Sequence, residues 1–105
     1  MRNFRTYNLA VQFYRSTRSL PLGGVLREQL DRAASSIALN LAEGTSRRTV
    51  KDQLRFFRMA FGSVRECQAI LDLEALTDHS VAKELDSLAA HLYRLMKNAR
   101  EEVAG

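Results

Sequence analysis

Few side chains in this sequence are placed to do covalent chemistry. His79 and His91 have no second histidine or cysteine at the spacing that a zinc site needs. Ser35, Ser36 and Ser63 lack a neighbouring base with a group to orient it, and no glycine-rich phosphate loop follows a strand. Cys67 lies on an apolar helical stripe, where a lone thiol serves as a small core residue rather than a nucleophile. Neither histidine has an arginine a few residues before it, since Asp72 to Ala75 and Glu84 to Ser87 contain none. Helical ribonucleases of that pattern are therefore excluded. The expectation is a protein that is not an enzyme, with no catalytic residue, no metal ligand and no cofactor.

Binding chemistry is better represented. Arg48, Lys51, Arg55, Arg58 and Arg65 recur at steps of three, four, three and seven, which places them on one side of a helix. With Arg47 they form a candidate nucleic-acid-binding set, to which Arg2, Arg5, Arg15 and Arg18 add charge from the first helix. No helix-turn-helix spacing, zinc knuckle or aromatic stacking motif accompanies them, so contacts would go to backbone phosphate or to shape. The alternative is a solvated charged face, because Asp52 and Glu66 dilute the row.

The elements that carry these residues are helical. The spacing predicts helices over 4–19, 25–43, 50–73 and 78–101, making one domain over 1–105. In the first, Phe4, Tyr7, Val11 and Tyr14 form a stripe with Leu9 and Phe13 beside it, and Pro21 with Gly23-Gly24 ends it. In the second, Leu26, Leu30, Ala33, Ala34, Ile37 and Leu41 make a buried face. Beside that face runs a polar row, Gln29, Arg32, Ser36, Asn40 and Glu43. It either pairs with a neighbouring helix or is a half-exposed boundary. Gly44 stands where a helix commonly ends in a left-handed turn residue, and Thr49 with Asp52 reads as the cap that restarts the chain. Glu43 opposes the helix dipole, so Arg47 or Arg48 should pair with it.

The third helix spreads apolar residues over a wide arc, and Gly62-Ser63 allows a close approach. Thr77 or Asp78 should cap the fourth, whose Val81, Leu85, Leu88, Leu92, Leu95 and Ala99 alternate four and three like a bundle seam. The last residues, Glu101 to Gly105, should fray. Short connections between amphipathic helices predict an all-α, antiparallel up-and-down four-helix bundle. The exposed Leu39, the wide third-helix arc and the aromatic first helix exceed what one small bundle hides, which favours an oligomer.

The chain has 105 residues, with 16 basic against 12 acidic and a net charge of +4, and 13 of the 16 are arginine. That balance permits an anionic partner without requiring one. A single cysteine rules out an internal disulfide and fits a reducing, cytoplasmic setting. No apolar run nears the roughly 20 residues that cross a bilayer, so a membrane partner is not expected.

The string from Arg27 to Gly44, REQLDRAASSIALNLAEG, resembles the signature of a bacterial four-helix family whose founding members are encoded in intervening sequences of 23S ribosomal RNA genes. Arg47-Arg48, the stretch FFRMAFGS from Phe56 to Ser63 with Glu66, and Tyr14, Thr17, Leu20 and Pro21 resemble it too. Tyr7 stands where many members have tryptophan. The resemblance implies a homopentameric bundle without a known enzymatic role. Related accessory proteins of diversity-generating retroelements form basic pentameric barrels, bind RNA and dock on a reverse transcriptase. The polar row and Gly44 carry over as structural positions. The expected partners are thus further copies of the chain, RNA, and a reverse transcriptase or other protein.

Overall fold

Pro21 and the paired Gly23-Gly24 mark the first break between helices, and the two later breaks, at 46–49 and 74–79, contain neither. The computed structural model describes residues 4–105, with only the backbone of Phe4. Four helices follow in order: α1 (Phe4–Thr17), α2 (Gly24–Thr45), α3 (Val50–Leu73) and α4 (Ser80–Ala104). The fold is all-α, with four helices packed against each other and no strand among the described residues.

Their buried faces meet in one core. Leu30, Ala34, Ile37 and Leu41 from α2 pack with Phe57, Ala60, Val64 and Cys67 from α3 and with Leu85, Leu88 and Leu92 from α4. The line buried by α1 is Thr6, Ala10, Phe13 and Thr17, not the expected aromatic stripe, for Tyr7, Val11 and Tyr14 are only half-buried. The Tyr14 hydroxyl accepts from Arg18 at 3.0 Å on the surface. Arg2 and the Phe4 side chain lie outside the described residues.

The connection between α1 and α2 is held by Arg27. Its guanidinium donates to the carbonyl oxygens of Thr17 (2.9 Å), Leu20 (2.5 Å) and Leu22 (3.4 Å) and pairs with Asp31 at 3.2 Å. These carbonyls lie at the end of α1 and just beyond it, where helical partners run out. Pro21 cannot continue the helix, so α1 stops at Thr17 rather than 19. Gly24 opens α2 at φ 59, a left-handed value that glycine accepts without a Cβ clash.

Helix α2 also runs further than expected, to Thr45, so Gly44 lies inside the helix and not in a left-handed turn. It is buried, and a Cβ built there would sit 2.7 Å from Cε1 of Phe57 and 3.1 Å from Cβ of Phe56. Glycine is needed for close passage, not for backbone conformation. Eight residues earlier, Ser63 Oγ donates to Ser36 Oγ at 3.0 Å, the second fixed point between α2 and α3.

Thr49 caps α3 as its spacing predicts, accepting from the Asp52 amide at 3.1 Å. The cap of α4 is His79, not Thr77 or Asp78. Its Nδ1 accepts from the Val81 amide at 3.2 Å, after Ala75 has turned the chain through φ 56. The expected fraying gives way to helix through Ala104.

The two ends of the bundle follow from what they enclose. One cleft is lined by Arg5 and Thr6 of α1, Val50, Gln53 and Phe57 of α3, and Leu95, Asn98 and Glu102 of α4. The other end places Asp72 of α3 beside Ala82 and Asp86 of α4, and ties Ser16 of α1 to Glu84 of α4 through a 3.0 Å hydrogen bond.

Candidate nucleic-acid interface

Thr49 sets the register of α3 and so fixes which way its cations point. Arg48, Lys51, Arg55, Arg58 and Arg65 are all exposed, on the side away from Ala60, Val64, Cys67 and Leu71. Among the described residues, Arg48, Lys51, Arg58 and Arg65 have no ion pair. Lys51, Arg55 and Arg58 line one surface depression of about 350 Å³ together with Thr49 and Asp52. It opens beside the first turn of α3, where unpaired amides and the helix dipole add positive potential.

Arg47 and Arg55 are differently employed. Their guanidinium carbons lie 4.6 and 4.5 Å from the centroid of the Phe56 ring. Arg47 pairs with Glu43 at 2.6 Å, as the opposed dipole predicts, and lies 3.7 Å from Asp52. Asp52 also accepts from Arg55 Nε and an Nη at 3.1 and 3.0 Å. Arg47 is therefore engaged in covering Phe56 and closing the α2–α3 turn, and the Arg55 charge is partly answered. Within the candidate set, Arg48, Lys51, Arg58 and Arg65 are without an ion pair, and Arg65 lies 6.0 Å from the centroid of the Phe61 ring.

Of the polar row, Ser36 alone hydrogen-bonds across to α3. Asn40 donates to the carbonyl (2.9 Å) and Oγ (3.0 Å) of Ser36, and Glu43 holds Arg47. Gln29 is half-buried, and Arg32 is exposed. Sequence reasoning missed the role of Arg27. Its i,i+4 spacing to Asp31 was visible, but its carbonyl contacts depend on how the loop folds back.

Charge is unevenly shared between the two ends. Residues 5–11, 38–62 and 92–105 hold nine cations against four acids, whereas 12–37 and 63–91 hold six against eight. The basic depression belongs to the first group.

A family model described as 23S rRNA-intervening sequence protein matches residues 3–101. The chain belongs to this family. The match spans all four helices except the final residues of α4. No curated protein matches the chain. For this 23S rRNA-intervening sequence protein, no helix among the described residues is long and apolar enough to cross a membrane. Cys67 is fully buried. Desolvation, and then the neighbouring Glu66 charge, pushes its thiol from an ordinary 9.0 up to about 12, so it stays protonated at neutral pH.

Proposed function

We propose that this 23S rRNA-intervening sequence protein is a non-catalytic, RNA-associated accessory protein of the cytoplasm. In this reading it is an antiparallel up-and-down bundle that works as a homo-oligomer, a pentamer by the family resemblance. It engages phosphate through the exposed face of α3. The observation that carries the reading is the convergence of Lys51, Arg55 and Arg58 on one depression at the start of α3, with Arg48 exposed just before it and Arg65 two turns further along. A ring of copies would repeat that face and multiply the field seen by a polyanion.

Self-association is supported by apolar side chains left on the outside. Leu39 of α2 is 68% exposed, Leu73 of α3 74% and Met59 of α3 48%. Met59, Gly62, Glu66, Ala69 and Leu73 recur at three and four residues, a narrow seam on which another helix could lie. The same seam favours a second reading, a scaffold that docks a protein such as a reverse transcriptase without touching nucleic acid.

The test is fluorescence polarisation of a labelled single-stranded RNA with the wild type and with Arg48, Lys51, Arg55 and Arg58 changed to Glu. If about four phosphates are neutralised, raising salt from 50 to 200 mM weakens binding by about 50-fold, and the charge-reversed protein shows little binding. Affinity indifferent to both changes overturns the RNA reading in favour of the scaffold.

A further inference from the structure

Phe56 is covered, but one other aromatic ring is not. Tyr93 on α4 is 54% exposed, with Arg100 two turns on and 6.0 Å from its ring centroid. What it faces follows from the pairing of α3 with α4. Asp72 and Asp86 line a common depression at one end, while the start of α3 meets the last turns of α4 at the other. Helices packed this way return to equivalent positions about every seven residues. Seven residues back along α3 and seven forward along α4, the equivalent pair is Arg65 and Tyr93. Seven more give Arg58 and Arg100. The outer groove between these helices thus changes along its length, from two aspartates to an exposed tyrosine among three arginines, with Lys97 one turn beyond Tyr93.

We propose that this groove holds a segment of single-stranded RNA, with one base stacked on Tyr93 and the flanking phosphates between Arg65, Arg58 and Arg100. The inference rests on the RNA reading and makes it more specific. An exposed ring flanked by guanidinium groups is the pairing that holds unpaired bases, since a duplex keeps its bases stacked inside. The aspartates at the far end repel phosphate and confine the strand to the basic half. Glu66 projects about 100° around α3 from Arg65, away from the groove. From Arg65 to Arg58 the groove rises about 10 Å and leads on toward the depression at Lys51.

Polarisation with fluorescein-labelled dodecauridylate and with a twelve-base-pair RNA duplex tests this, using wild type, Tyr93→Ala and Tyr93→Phe. Tyr93→Ala should weaken the single strand by about tenfold, the value of one stacked base, leave the duplex within twofold, and be rescued by Tyr93→Phe. Oligonucleotides carrying 4-thiouridine should crosslink to the peptide that contains Tyr93. A single-strand affinity unmoved by Tyr93→Ala overturns the proposal. If charge reversal at Arg48, Lys51, Arg55 and Arg58 still abolishes binding in that case, the RNA reading survives without the groove. If neither RNA binds the wild type, both fall. A change in mass by light scattering for Tyr93→Ala, with RNA affinity intact, assigns the ring to a contact between copies and also overturns it.

Discussion

A Cβ on Gly44 would lie 2.7 Å from Cε1 of Phe57, so the crossing of α2 and α3 is set by a side chain that is absent. Phe57 is itself 1% exposed and confined by the core, and Phe56 Cβ at 3.1 Å is tied to the backbone. Gly44→Ala should therefore destabilise by about 1–3 kcal/mol even though alanine favours helix by about 1 kcal/mol. Urea unfolding measures this. A midpoint at or above that of wild type would mean that the ring moves aside freely.

Arg27 closes the α1–α2 connection through three carbonyls and Asp31. Arg27→Ala leaves these acceptors without their charged donor and should cost about 2–3 kcal/mol, or roughly 10 °C in melting temperature. Arg27→Lys should recover little, because an ammonium cannot reach several carbonyls as a fork. Equal melting of wild type and Arg27→Ala would show that water replaces the clamp.

Two caps offer opposite signs. Thr49→Ala removes the hydroxyl that accepts from Asp52 and should cost about 1 kcal/mol. His79→Asp puts a carboxylate at the start of α4 in place of an imidazole and should add about 0.5–1 kcal/mol. Thermal unfolding of the two variants checks the pair, and matching shifts would contradict it.

Burial makes stability depend on pH through Cys67. Below about pH 9 the thiol is protonated in native and unfolded chains alike. Between 9 and about 12 the unfolded chain loses a proton that the native chain keeps, so native stability falls as pH rises. The slope is at most about 1.4 kcal/mol per pH unit. Cys67→Ala should have a shallower decline over that range, and parallel declines would contradict the assignment. A thiol reagent at pH 8 should label the wild type only after denaturant is added.

What the sequence revealed and what it concealed divide along a physical line. The period of Leu30, Ala34, Ile37 and Leu41, the Thr49 cap and the Glu43–Arg47 pair are local, fixed by spacing within a few residues, and they stand in the structure as the spacing predicts. The role of Gly44 is not legible locally, because its neighbour Phe57 belongs to the next helix and glycine near a helix end has two uses. The aromatic stripe of α1 yielded to Ala10 and Phe13 for a similar reason, since its two neighbours, α2 and α4, decide which side is buried. Spacing pairs Arg47 with Glu43, but its further engagement by Phe56 and Asp52 depends on how the α2–α3 turn closes. Arg27, in the first turn of α2, and His79, at the end of a loop, find their partners only when the chain has turned.

The molecule measures 44 by 20 by 20 Å, and its excess positive charge sits toward one tip. A polyanion nearby would therefore exert torque on it as well as attraction, turning the rod before contact so that the cationic tip arrives first. At physiological ionic strength screening acts over about 8 Å, far less than the length of the rod, so this alignment operates only in the last moments of approach.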